Sequence, residues 1–280
     1  MTRELRLRIL SSIVMLAVVL ATTWIGGLAF QALAAVIGLA VFWEWSTMTR
    51  LSEVSMRGLA LGWLSVVVVA VNAVIGDPAL SLPLLCGFTL TIVLMTLLRR
   101  WRWWLAGGVF YAGASIVTLA AIRDDDAIGF VAMLFVFVTV WSTDIFAYFV
   151  GRTLGGPKLA PRISPGKTWS GAIGGTIAAV IGGYAVTASY FSVSGWWIPV
   201  LALVLSICSQ MGDLFESFIK RRFGAKDSSQ LIPGHGGVMD RVDGLATASF
   251  AAFMIAMTVA AVNNGVTDSV GGLLFDFAGR

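Results

Sequence analysis

Charge is what this sequence has least of. Only 12% of its 280 residues are Asp, Glu, Lys or Arg, against roughly 25% in a soluble domain. That deficit excludes an ordinary water-soluble globule. Cysteine is scarcer still, with Cys86 and Cys208 alone. A disulfide framework is excluded, and no CxxC spacing offers a zinc site. Both cysteines lie in apolar stretches and are expected as core residues. There is one histidine, His235, and no Ser-His-Asp set accompanies it. No repeat of fixed period and no soluble domain stand out.

What is present is hydrophobic: 58% of the chain, with long apolar runs from end to end. A helix needs about 20 such residues to cross a bilayer. The runs predict an all-α polytopic integral membrane protein of about nine transmembrane helices. They fall near 9–24, 26–46, 58–75, 79–98, 103–122, 128–151, 171–191, 196–218 and 242–263. The first two share one run, with Gly26-Gly27 as the turn. The basic start of the chain resembles a signal peptide, but no small-x-small cleavage site follows, so it is read as the first span.

Lys and Arg set the orientation. With a cytoplasmic N-terminus, all of the 19 cations except Arg123 and Arg280 fall inside. Losing one span would scramble that alternation. The basic inner face accounts for a pI of 9.4 without nucleic acid, and suits anionic headgroups and anionic soluble substrates. Residues 1–127 then form an N-terminal set of about five spans. Residues 128–280 form a C-terminal catalytic region with cytoplasmic loops about 152–170 and 219–241.

The carboxylates sort into two groups. Asp77, Asp124, Asp125, Asp126, Asp268 and Asp276 fall outside, where "RDDD" and "GDP" look like solvated loops. Glu44, Asp144, Asp213, Glu216, Asp240 and Asp243 lie in or beside spans, near their cytoplasmic ends. A carboxylate at membrane depth is costly and marks function by default.

Three stretches carry the candidate chemistry. In "QMGDLFESFIKRR" a helix would put Asp213, Ser217 and Lys220 on one face, with Glu216 beside Asp213. Such a face meets both a metal and a phosphate; the plain alternative is an interfacial Asp–Lys pair. In "GHGGVMDRVDG" the glycines around His235, Gly236 and Gly237 among them, let amides form an anion nest. Asp240 and Asp243 follow at i, i+3, a spacing that can face one cation, and Arg241 between them suits bidentate phosphate. A glycine turn and helix N-cap would explain one Asp but not the whole set. His235 would contact phosphate, order its loop or transfer a proton directly.

The third stretch, "GRTLGGPKLAPRISPGKTWSGAIGG", brings Arg152, Lys158, Arg162 and Lys167 to a helix start where Lys167 and Thr168 can receive phosphate. It is no Walker A loop, because the position that needs glycine is Pro161. Just upstream, Asp144 and Tyr148 lie one turn apart, and Asp144 joins the carboxylates suited to a divalent metal. Together these describe phosphoryl or nucleotidyl transfer to a lipid at the cytoplasmic membrane face. Such transfer rests on positioning and charge neutralisation. A transporter of a phosphorylated solute is the rival from another class, and a structural membrane protein a third. Confinement of the charged set to one half argues against transport.

The pattern Ser217-x-Ile219-Lys220-Arg221, Lys226-Asp227, His235-Gly236-Gly237, Asp240-Arg241-x-Asp243 resembles the signature of the phosphatidate cytidylyltransferases, or CDP-diacylglycerol synthases. The region from Asp144 through "SPGKTW" to Gly171 is similar as well. Ser170 departs from the pattern, where many members carry a larger polar residue. The resemblance implies that CTP and phosphatidic acid give CDP-diacylglycerol and pyrophosphate, in a bacterial inner membrane with the site facing the cytoplasm. It implies Mg2+, with K+ as a second cation sharing the metal centre. Asp213 and Asp240 are its implied metal ligands, with Asp243 close by. Ser217, Lys220, Arg221, Lys226 and Arg241 are implied phosphate or nucleotide contacts, joined by Lys167 and Ser164. Ser217 and Lys226 are also expected to take part in catalysis. A homodimer is expected from the resemblance alone. The same chemistry on another lipid phosphate or a polyprenyl acceptor is the nearest alternative.

Overall fold

The computed structural model describes residues 3–124, 126–192, 195–262 and 269–275. Asp125, Asp268, Asp276 and Arg280, placed outside by the charge pattern, lie beyond the described residues. Nine described helices are long and apolar enough to cross a membrane. They are α1 (Arg3–Ile25), α2 (Gly27–Met48), α3 (Met56–Ile75), α4 (Pro78–Arg99), α5 (Trp103–Arg123), α6 (Ala127–Leu154), α7 (Trp169–Tyr190), α8 (Trp197–Arg222) and α9 (Met239–Val262). A short α10 (Val270–Phe275) follows, and an antiparallel hairpin, β1 (Lys158–Ala160) with β2 (Ser164–Thr168), joins α6 to α7. The chain is thus a multi-pass membrane protein.

Local chemistry explains where the helices break. Gly26 takes φ 73° between α1 and α2, a positive value that favours glycine, at the turn expected there. Thr168 caps α7 by accepting from Gly171 N at 3.1 Å. Two of the acidic residues read as solvated loop are helix caps instead. Asp77 accepts from Ala79 N at 2.9 Å to start α4. Asp126 accepts from Gly129 N to start α6, and takes Ser269 Oγ at 2.8 Å. Each cap satisfies an amide that the first helical turn leaves without an intrahelical partner. The cysteines are free as expected but are not core residues, Cys86 being exposed on α4 and Cys208 half-buried on α8. On a spanning helix an outward side chain meets lipid, so a hydrophobic cysteine need not be buried within its own chain.

The polypeptide packs as two compact units, Met1–Ala120 with Arg222–Val242, and Ala121–Arg221 with Asp243–Arg280. The first is built on Trp45, 1% exposed. Its indole N–H donates to Trp104 O at 2.8 Å, and its ring stacks on Tyr111 at 5.6 Å. In the second unit α6 and α7 approach through small residues: a Cβ on Gly171 would lie 2.6 Å from Ala147 O. Backbone proximity of this kind replaces the hydrophobic drive that lipid removes.

Candidate active site

In the second unit two glycines bring α8 and α9 together. A Cβ on Gly212 would fall 2.6 Å from Asp243 O, and one on Gly244 2.5 Å from Ser209 Oγ. Their sequence neighbours Asp213 and Asp243 are near enough for each to feel the other's charge. Asp243 feels the repulsion of Asp213 and Asp144 and the attraction of Lys220. Its Oδ1 accepts from Gly244 N at 2.8 Å. Asp213 is held from two sides: Lys167 Nζ lies 2.5 Å from Oδ2, and Ser217 Oγ donates to Oδ1 at 3.4 Å. Lys220 pairs with the buried Glu216 one turn below.

Asp144 and Asp213 line a cavity of about 600 Å3 together with Arg152, Lys158 and Lys167. The hairpin supplies two of these cations, because Lys158 and Thr168 pair at its base. Ser164, paired with Ala160 towards the hairpin tip, is not among the lining residues. Arg152 donates to Tyr148 Oη at 2.6 Å, so one turn of α6 presents both. Ser170 donates to Gly155 O and lies 3.1 Å from Thr168 Oγ1, tying the end of α6 to the start of α7. The departure from the family pattern is therefore a loop fastening.

A polar ladder descends from this cavity. Gln210 Nε2 donates to Thr176 Oγ1 at 2.9 Å, Ser206 Oγ to Thr176 Oγ1 at 3.1 Å, and Thr143 Oγ1 meets Ser206 Oγ at 2.8 Å. Gln210 also lines a second cavity of about 600 Å3, walled by Trp169, Ile173, Ile177, Leu203, Ile207 and Met211. The two cavities share Leu159, Ala172 and Gln210. Gln210 was missed in the sequence because a single amide in an apolar run carries no motif.

The glycine-histidine loop belongs to the first unit. Phe223 packs edge-on against Trp104 at 5.1 Å where the loop begins. Gly234 and Gly236, at φ 76° and 81°, turn the chain so that Ile232 N reaches Gly236 O at 2.8 Å. Asp240 Oδ2 accepts from Ser228 N, Ser228 Oγ and Gly237 N at 2.9, 2.9 and 2.8 Å. Arg241 directs Nε and Nη2 onto His235 O at 3.0 and 2.8 Å. Lys226 is exposed, as is Arg221 at the end of α8 in the second unit.

His235 is held by two serines of α1. Its Nδ1 lies 2.9 Å from Ser11 Oγ and its Nε2 3.0 Å from Ser12 Oγ, both on α1. Ser11 also donates to backbone carbonyls, Leu7 O at 2.8 Å and Pro233 O at 3.2 Å. Both ring nitrogens are thus engaged by hydroxyls of one helical turn. A ring held at both nitrogens fastens the loop to α1. His235→Asn is expected to keep more than a tenth of turnover while amide exchange at 232–236 rises; loss beyond a hundredfold with unchanged exchange would return His235 to the chemistry.

The oxygen donors at the cavity, Asp144 and Asp213, are of the kind that a hard cation takes. The ammonium of Lys167 on Asp213 Oδ2 stands in as a positive charge at that oxygen. Among the described residues no three His, Cys, Asp or Glu groups converge to hold a metal by themselves. Asp144 and Asp213 at the cation-lined cavity are as many carboxylates as Mg2+ would need if water and substrate phosphates completed its shell.

Carboxylates and cations line a cavity beside an apolar groove on spanning helices, an arrangement suited to a charged and an apolar ligand together. The family is shown by comparison: residues 6–260 match the model of the cytidylyltransferase family, and the chain belongs to that family, as a nucleotidyltransferase. Similar proteins carry the name phosphatidate cytidylyltransferase. One from Brucella abortus biovar 1 (strain 9-941) is 49% identical over 249 residues, covering 88% of this chain and 91% of its own. One from Haemophilus influenzae is 34% identical over 280 residues, covering 87% and 96%. One from Staphylococcus haemolyticus is 32% identical over 248 residues, covering 85% and 94%.

Proposed function

We propose that this chain transfers the cytidylyl group of CTP to phosphatidic acid, forming CDP-diacylglycerol and pyrophosphate at the cytoplasmic face of a bacterial inner membrane. The observation that carries the reading is the pair of adjoining cavities in one unit. One is lined by Asp144, Asp213, Arg152, Lys158 and Lys167 and suits a metal triphosphate. The other is apolar and suits acyl chains entering laterally, with Gln210 at the junction. The one-sided distribution of Lys and Arg supports the cytoplasmic face.

In the proposed reaction a lipid phosphate oxygen attacks the α-phosphorus of CTP. The bond to the α–β bridging oxygen breaks, and its electron pair leaves with pyrophosphate. The nucleophile needs no general base, because a phosphate monoester is largely ionised near neutral pH. Lys167, Lys158 and Arg152 hold and neutralise the triphosphate. By the signature, Lys220, Arg221, Lys226, Ser217 and Arg241 add phosphate or nucleotide contacts. Mg2+, when bound, would neutralise charge on the phosphates, with Asp213 and, by the signature, Asp240 as its ligands and Asp243 and Asp144 supporting. K+ as a second cation and a homodimer rest on the resemblance.

The test is an assay of purified protein in mixed micelles with phosphatidic acid, CTP and Mg2+, following pyrophosphate and CDP-lipid. Metal-dependent formation of both upholds the reading. Product from a polyprenyl phosphate but not from phosphatidic acid replaces the acceptor; no product from any lipid phosphate overturns the chemistry. Lys167→Met should raise KM for CTP about tenfold or more, ~1.4 kcal/mol of binding, with a smaller change in KM for the lipid. Equal changes in both constants would remove Lys167 from the nucleotide.

A further inference from the structure

Glu44 lies in α2, far in sequence from the signature, and its side chain is fully buried, 0% exposed. An isolated carboxylate in such a place is costly unless it is satisfied. All four donors that the structure places on it come from the signature loop. Ser228 Oγ and Ser229 Oγ donate at 2.9 and 2.7 Å. Val238 N and Met239 N donate at 2.8 and 2.7 Å. Those two amides open α9, so Glu44 caps that helix from another part of the chain and sets negative charge at its positive end.

The link to Asp240 is Ser228. Its hydroxyl lies 2.9 Å from Glu44 Oε2 and 2.9 Å from Asp240 Oδ2, and its amide donates to the same Asp240 oxygen. One hydroxyl proton serves two carboxylates, so the position of Asp240 depends on where Glu44 holds Ser228. Gly237 completes the enclosure: a Cβ there would lie 2.5 and 2.6 Å from the Glu44 oxygens.

We infer that Glu44 is the positioning residue of the signature loop, clamping residues 228–239 and orienting Asp240 through Ser228. The inference rests on the proposed role of Asp240 in holding cation for nucleotidyl transfer. Glu44 itself touches neither substrate nor metal in this scheme.

The experiment uses the full-length protein in micelles with Glu44→Gln, Glu44→Asp and Ser228→Ala. Glutamine keeps the size but turns an NH2 towards groups that are themselves donors. The first readout is amide hydrogen exchange without nucleotide or metal. Exchange at Val238 and Met239 should rise at least tenfold in Glu44→Gln, with α3 and α4 unchanged. The second is the Mg2+ concentration for half-maximal CDP-lipid formation. It should rise at least tenfold in Glu44→Gln, more than KM for phosphatidic acid does, and Glu44→Asp should recover part of both effects. If Glu44→Gln fails to fold, Ser228→Ala carries the same readouts. Unchanged exchange overturns the clamp. Faster exchange with an unchanged Mg2+ requirement and turnover overturns the positioning of Asp240. Wild-type protein making no CDP-lipid would overturn the enzymatic reading alone, because the exchange result still decides the clamp.

Discussion

Asp240→Asn should abolish turnover while leaving the protein folded. The amide oxygen of asparagine can occupy the place of Oδ2 and keep the bonds from Ser228 N, Ser228 Oγ and Gly237 N, 2.8–2.9 Å in the native loop. What asparagine removes is the negative charge. If that charge holds a cation at the triphosphate, the rate should fall about a thousandfold, ~4 kcal/mol of barrier. Unfolding followed by tryptophan fluorescence in detergent should show wild-type stability. Retention of more than about a tenth of activity, under ~1.4 kcal/mol, would remove Asp240 from the cation site.

Gly237→Ala should be nearly as damaging, for a steric reason. The added methyl would overlap Ser228 Oγ and stand 2.5–2.6 Å from both Glu44 oxygens. Neither neighbour is the free end of a flexible chain, since each is fixed by several hydrogen bonds. Overpacking a buried site costs about 1–3 kcal/mol. Here the displaced atoms are those that hold Asp240, so turnover should fall more than a hundredfold. Gly87→Ala is the matched control: it lies within α4 with open space around its Cβ. It should leave turnover unchanged and stabilise the helix slightly. Equal activity of the two variants would show that the loop tolerates the methyl and that the enclosure around Glu44 is looser than the contacts imply.

Much of this was readable from residue order, and the exceptions share a cause. The spans follow from the length of each apolar run, and the break at Gly26-Gly27 from glycine chemistry. The hairpin did not show itself, because Pro161, Pro165 and Gly166 mark a loop and strands of three and five residues are too short to show a period. Asp126 read as solvent-facing because three consecutive aspartates mask the one that caps. Glu44 was flagged as a carboxylate at membrane depth, yet its partner Ser228 is 184 residues away. No local pattern encodes such a pairing. For the same reason the serines that receive His235 went unseen: Ser11 and Ser12 sit in an apolar run of no distinction. Local chemistry announces caps, turns and spans, whereas the second partner of a long-range polar contact appears only once the chain is folded.

The tether of the signature loop to α1 and α2 bears on how this protein can be divided. A polypeptide starting after residue 127 would contain every signature residue, but it would lack Ser11, Ser12 and Glu44. Cut into two separately expressed pieces, the protein should regain its loop only when the pieces reassociate in one bilayer. The N-terminal piece would then act as a template for its neighbour, and complementation between halves would report on that templating directly.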